Sequence, residues 1–192
     1  MKKLLLPLII FNFIFLSLTE LYSLNLKAGV KGGMGINWTQ KSADDDTGAI
    51  IGATGGTAFE IGGPIGQQNE FIAWGLEVNA LYQERGGEFI TGNGEVRYLG
   101  VPVILKLDFI PIYYMGMGLN YQKKISSTIS NLKENNLEFI MLIGFDTSIT
   151  KNLDFVFDFR FYAGLLNYSA DPSNTIKTQS IELLFGVMYK IF

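Results

Sequence analysis

The stretch "LDFVFDFRFYAGLL", residues 153–166, is apolar at every second position. Leu153, Phe155, Phe157, Phe159, Phe161, Ala163 and Leu165 form one set, with Asp154, Asp158, Arg160 and Tyr162 between them. Successive side chains of a strand point to opposite faces. The segment therefore reads as a strand with one greasy face and one charged face. Such a strand suits a soluble sheet, and equally a sheet whose outer solvent is hydrocarbon. The rest of the chain decides between them.

This segment is the seventh of eight that alternate in the same way. The first sets Leu24, Leu26, Ala28, Val30, Met34, Ile36 and Trp38 against Lys27, Lys31 and Asn37. The second, about 49–61, sets Ile51, Ala53, Phe59 and Ile61 against Thr54 and Glu60. The third and fourth, about 71–85 and 95–109, place Glu77, Asn79, Gln83 and Arg85, then Lys106 and Asp108, opposite apolar rows. The fifth, about 112–121, alternates Tyr113, Met115, Met117, Leu119 and Tyr121 with Gly116, Gly118 and Asn120. The sixth, about 137–150, carries Glu138 and Asp146 on its polar phase; the eighth, about 179–192, carries Glu182 and Lys190. Period-2 patterning over nearly the whole of 24–192 predicts an all-β chain.

The connections predicted between these segments alternate in length. Residues 39–48, 86–94, 122–136 and 167–178 read as long polar loops, for example "TQKSADDDTG" and "NYSADPSNTIKT". The others are the two-residue Ile110–Pro111 and Lys151–Asn152 and the moderately longer "GGPIGQQNE" at 62–70. Long loops at one end and short turns at the other are the layout of an outer-membrane barrel, with both termini on the short-turn side.

Composition narrows the function classes. The 192 residues include neither Cys nor His, and the net charge is −3. Without Cys there are no disulfides or thiolate metal sites. Without His the commonest general base and metal ligand are gone, and a Ser–His hydrolase is excluded. The negative charge offers no footprint for nucleic acid. At the N-terminus, Lys2 and Lys3 precede an apolar run, Leu4–Leu18, and "TELYS" ends in a small residue. Residues 1–23 read as a cleavable signal peptide and 24–192 as the mature domain. The run is shorter than the roughly 20 residues of a spanning helix, which argues against an uncleaved anchor. Loss of Lys2, Lys3 and Glu20 takes the mature net charge to −4.

Alternation alone does not say which face is inside. A soluble lipocalin-like barrel would hide the apolar face, but an eight-stranded lumen is only wide enough to be filled and cannot take so many bulky side chains. Most glycines of the segments, such as Gly29, Gly33, Gly35, Gly100, Gly118 and Gly186, fall on the polar phase, with Gly32 and Gly55 as exceptions. Small residues belong on the crowded concave side. Aromatics of the apolar phase gather toward segment ends: Trp38, Tyr82 and Tyr121 near the long loops, and Phe59, Phe109, Tyr113 and Tyr189 near the short turns. Two interfacial girdles follow from that placement. The expected fold is an eight-stranded antiparallel transmembrane up-and-down β-barrel.

The segments "EVNALYQERGGEF" (77–89), "YLGVPVILKLDF" (98–109), "YYMGMGLNY" (113–121) and "GVMYKIF" (186–192) resemble the outer membrane β-barrel domain of the PorT-like and small OmpA/OmpX-like type. The resemblance covers most of 24–192. It implies an eight-stranded barrel inserted by the barrel assembly machinery. The terminal signal of such barrels has Phe last and apolar residues at alternate positions before it. Here Phe192 is last, but Lys190 occupies the in-phase position and Tyr189 lies one step off.

The expected lumen network is Lys27, Lys31, Glu60, Glu77, Arg85, Lys106, Asp108, Glu138, Asp146, Asp154, Asp158, Arg160, Glu182 and Lys190. It reads as a charge-paired plug rather than an ion path, because buried charges need partners. Asp154 and Asp158, four apart on one face, are the nearest thing to an acid–base pair. No nucleophile accompanies them, and no enzymatic activity or cofactor is expected. "DDD" at 44–46 lacks the ligand spacing of a calcium loop. The runs "GVKGGMG" and "GATGGTAFEIGG" lack the G-K-[ST] of a phosphate loop and read as barrel packing. In "KKISSTISNLKENN" (123–136), Ile125, Ile129 and Leu132 allow a short amphipathic turn within an external loop.

The expected role is a monomeric surface scaffold in outer-membrane lipid, presenting loops to an extracellular ligand for adhesion or envelope integrity. A narrow pore or accessory barrel of a transport or secretion system is the alternative. A soluble periplasmic lipocalin-like binder is the third reading.

Overall fold

The computed structural model describes residues 24–41, 49–65, 72–89, 92–109, 112–128, 132–170 and 176–191. Eight strands follow one another: β1 (Asn25–Lys41), β2 (Ile50–Pro64), β3 (Ile72–Phe89), β4 (Gly92–Phe109), β5 (Tyr113–Ser127), β6 (Asn135–Thr150), β7 (Leu153–Gly164) and β8 (Ile176–Lys190). Each pairs antiparallel with its sequence neighbour, and β1 pairs with β8 to close the barrel. Closure removes every sheet edge, so the ladders satisfy their backbone groups internally. No helix of the described residues is long and apolar enough to cross a membrane.

The alternation read from the sequence is the inside–outside alternation of the wall. Outward positions are apolar and exposed, for example Met34 at 61% and Leu105 at 52%. Inward positions are sealed: Glu77, Asp158 and Arg160 are all at 0%. Phe145, Phe157 and Phe185 stand in direct cross-strand register on the outer face of β6, β7 and β8. Their rings meet at centroid distances of 5.2 and 5.1 Å. Gly33 points inward, where a Cβ would collide with the carbonyl oxygen of Leu183. Gly32 and Gly55 pair with each other on the outer face, where a Cβ meets nothing closer than 3.5 Å.

Two predicted loops are shorter than the sequence suggested. Residues 86–94 are mostly ladder: Gly86 pairs with Glu95, and pairing continues to Phe89 and Gly92. Polarity on both faces hid this extension, because two neighbouring backbones can pair whatever their side chains are. Likewise β5 continues to Ser127 and β6 starts at Asn135, leaving only 128–134 between them. Ile125 therefore lies in a strand and not in an amphipathic turn. Leu132 is buried, and Ile129 lies outside the described residues. So do residues 1–23, the acids at 44–46, Ile110–Pro111 and Phe192.

A charge-paired plug as the candidate functional site

The alternation that makes the wall also sends charged side chains to the axis, where they form three tiers. The central tier joins β1, β2, β3, β4 and β7. Lys31 donates from Nζ to both oxygens of Glu77 and to Asp158, each at 2.8 Å. Arg160 donates from Nη2 to Glu77 at 2.8 Å and to Asp158 at 2.5 Å, and from Nε to Asp158 at 3.0 Å. Lys106 contacts Glu60 at 2.5 Å and Glu77 at 3.4 Å, and its Nζ lies 3.8 Å from the Tyr114 ring centroid. The Tyr114 hydroxyl donates to Asp158. The cations Lys31, Lys106 and Arg160 balance the anions Glu60, Glu77 and Asp158. Both carboxylates at the centre are held by charge-assisted bonds from several strands, the arrangement that makes buried charge tolerable.

The tier nearer the loop end is built on Arg85. It meets Glu182 at 3.1 Å, Glu138 at 3.4 Å and Asn37 Oδ1 at 2.9 Å, and lies 4.6 Å from the Tyr162 ring centroid. Glu182 also accepts from Thr54 and Gln83, and Glu138 from Asn120 and Thr178. Gln83 accepts from Asn120 and Gln122, and Asn136 donates to Gln122.

Above this tier the loop end is capped. Val96, Tyr98, Leu132, Tyr168 and Ile176 form a buried cluster, with the Tyr98 and Tyr168 rings 5.9 Å apart. Lys133 ties the loops together, its backbone N–H to Tyr168 O at 3.1 Å and its Nζ to Asn167 O at 2.7 Å. Burial pushes the Tyr168 hydroxyl up to about 12.

The tier at the end holding the termini is wetter. Lys27 meets Asp146 and Asp154, each at 3.0 Å, and Glu60 at 4.0 Å. Lys190 meets Asp154 at 2.9 Å and donates to Ser148 at 3.1 Å. Lys190 is thus on the inward phase, and Tyr189 is on the outward one with 52% exposure. Asp108 lies half-buried on the same inward phase, outside these ion pairs.

Every residue of the expected network lies on the inner phase, but Asp154 and Asp158 do not form a pair. They belong to different tiers and hold different lysines. Among the described residues no group of three or more Asp, Glu, His or Cys side chains is arranged to hold a metal ion. The glycine runs of β1 and β2 are laddered strand and open no helix. What the arrangement does chemically is neutralise charge across the axis and fill it.

Two components escaped the reading of charges alone. An apolar cluster, including Ile104, Ile140, Leu142, Val156 and Met188, packs inside the barrel with Tyr114 and Tyr162. The amides Gln122 and Asn136 are buried as well, beside Gln83 and Asn120, whose inward phase the alternation had already marked. Both sets lie on the polar phase of the alternation, and that phase is the signal that would have found them.

Among the outward aromatics, Trp38 donates to Gln179 at 2.8 Å, Tyr82 to Glu84 at 3.0 Å and Tyr121 to Asn135 at 2.9 Å, all toward the loop end. Phe59, Phe109, Tyr113 and Tyr189 are exposed toward the terminal end.

No protein-family model matches the chain, and no curated protein matches it. Solved structures do. Neisserial surface protein A is 17% identical, with 86% of this chain and 97% of that chain covered and a TM-score of 0.51. Ail, the attachment invasion locus protein of Yersinia pestis, is 14% identical, with 85% and 98% covered and a TM-score of 0.46. The outer membrane protein OprG from Pseudomonas aeruginosa is 13% identical, with 86% and 95% covered and a TM-score of 0.44. With a sequentially paired, closed wall of eight strands around a filled lumen, the chain has the fold of a small outer-membrane β-barrel.

Proposed function

We propose that the protein is a monomeric, non-conducting outer-membrane barrel that serves as a rigid scaffold for its loop-end surface. In this reading residues 1–23 direct export, the barrel assembly machinery inserts the mature chain, and the barrel end at which β1 leads to β2, β3 to β4, β5 to β6 and β7 to β8 faces outward from the cell. The apolar outer wall lies in lipid. Trp38, Tyr82 and Tyr121 sit at one interface, and Phe59, Phe109, Tyr113 and Tyr189 at the other. Adhesion or envelope integrity is the task that a fixed loop platform serves.

The observation that carries this reading is the central tier. Lys31, Glu77, Asp158 and Arg160 bind one another across the axis with none of them more than 3% exposed. A solute path would have to break several charge-assisted bonds at once. The tests are gel migration with and without heating and planar-bilayer conductance, both on the refolded mature chain. A heat-dependent band shift with no discrete channels is expected. Unit conductance steps altered by Asp158→Asn would overturn the scaffold and favour the narrow pore. Full solubility without detergent would favour the lipocalin-like reading.

A further inference from the structure

We infer that Asp154 is an electrostatic latch on the seam that closes the barrel. The seam joins β1, the first strand, to β8, the last, and it is the one junction of the wall whose strands no loop connects. Four successive inward pairs along it follow one rule. Gly29 stands opposite Met188, Lys31 opposite Gly186, Gly33 opposite Leu184 and Gly35 opposite Glu182. Each sets a side chain beside a glycine, so no two side chains compete for the same space. At the terminal end the rule breaks, and Lys27 stands opposite Lys190. The Ile191 N–H donates to Leu26 O at 2.8 Å. The neighbouring Lys27–Lys190 couple is therefore a non-hydrogen-bonded pair, the kind whose side chains come closest. Like charges directly opposite one another destabilise a ladder.

A carboxylate from a third strand resolves the conflict. Asp154 of β7 places Oδ2 at 3.0 Å from Lys27 Nζ and Oδ1 at 2.9 Å from Lys190 Nζ, with its own side chain 3% exposed. One acid thus gives an oxygen to each lysine. Ser148 donates to Oδ1 at 2.8 Å and accepts from Lys190 at 3.1 Å, which fixes the orientation of the carboxylate. The two lysines are unequally supplied. Lys27 also reaches Asp146 at 3.0 Å and Glu60 at 4.0 Å. Among the described residues Asp154 is the only carboxylate paired with Lys190.

This arrangement makes closure conditional on β7. The chain itself brings β8 beside β7, whereas β1 arrives from the opposite end of the sequence. Before it arrives, Lys190 has Asp154 to itself on the neighbouring strand. When β1 docks, it brings a second lysine to the same carboxylate. The shared acid then turns a repulsion across the seam into a bridge over it. Without that acid the seam carries two facing cations and only Lys27 retains a counter-ion. The latch also gives a task to Lys190, which holds a position where the terminal signal of such barrels is apolar. It depends on the closed wall alone and not on what the barrel does for the cell.

The test reads two consecutive amides on opposite sides of β8. The Ile191 N–H crosses the seam to Leu26 O, and the Lys190 N–H crosses to Asn152 O on the β7 side, both at 2.8 Å. Hydrogen exchange of the full mature chain, refolded in detergent micelles at low salt, is followed by NMR. Asp154→Asn is expected to lower the protection of the Ile191 amide at least fivefold relative to the amide at position 190. Adding Lys190→Gln to Asp154→Asn is expected to bring it back to within twofold of wild type, because no like-charged pair is left to hold. Lys190→Gln alone is expected to leave it within twofold as well. Unchanged protection in Asp154→Asn, or no recovery in the double variant, would overturn the latch. So would a fivefold loss in Lys190→Gln alone, since Lys190 would then hold the seam by its own ion pair instead of straining it. If Asp154→Asn does not fold, folding regained in the double variant supports the latch, and otherwise Lys190→Gln alone decides.

Discussion

Asp154 and Asp158 are the same residue, four apart on the same face of β7, yet they sit in different solvents. Asp158 is at 0% exposure, gripped by Lys31, Arg160 and Tyr114. Asp154 is also covered itself, but its partner Lys190 is 31% exposed and opens toward the terminal mouth. The difference shows that an ion pair's worth is set by what replaces it. At the centre a lost partner leaves a cation with no water to take over. At the mouth, water substitutes.

The largest effect is therefore expected from Asp158→Ala. It removes one of two carboxylates from both Lys31 and Arg160 and leaves the Tyr114 hydroxyl only the Phe157 carbonyl, at 3.2 Å. Because Glu77 still neutralises part of the charge, the loss falls at the lower end of the buried-pair range, about 3 kcal/mol. Urea unfolding of the refolded barrel in lipid vesicles measures it. A loss below about 1 kcal/mol would mean that the central tier is hydrated and the contrast with the mouth is false.

Phe157→Lys probes the other side of the same strand and ranks second. Phe157 stands between Phe145 and Phe185 on the outer face. A lysine facing hydrocarbon at mid-depth costs about 2–4 kcal/mol. The same substitution at a water-facing position would cost little, so vesicle stability against that scale locates the membrane's mid-plane on the barrel. A neutral outcome would sink the lipid-facing assignment of the whole outer phase.

The two faces of β7 were legible from its letters because burial in a barrel obeys a period of two, and Phe155–Phe161 against Asp154–Arg160 show that period, with Val156 the one apolar residue on the inner side. The inward position of Lys190 follows from the same count, although the expected terminal signal argued for an apolar residue there. Less was legible where both faces are polar. Residues 86–89 and 92–95 carry no clear alternation, and their pairing comes from two antiparallel backbones already held side by side by the ladder below them. The tiers themselves were invisible. Nothing local tells Glu77 that it will meet Lys31 from β1 and Arg160 from β7, since strand tilt and stagger bring those residues to one level. The Tyr98–Tyr168 cap depends likewise on a loop folding back over the mouth.

Lys190→Gln is the smallest expected effect and the sharpest control on the comparison. The substitution removes an ion pair of 2.9 Å, shorter than many that matter. Distance alone would rank it with the central tier. Asp154, however, keeps Lys27 at 3.0 Å and the Ser148 hydroxyl at 2.8 Å. Glutamine can also donate to the same carboxylate, and water reaches the vacated position. With the charge partly exposed, the loss is expected to stay within about 1 kcal/mol and to shrink as salt is raised. Unfolding of Lys190→Gln beside Asp158→Ala at low and high salt reads both terms. If the mouth variant lost as much as the central one, and salt left it unchanged, the mouth would be as dry as the centre. The barrel would then be sealed along its whole length and not only at its central and Arg85 tiers.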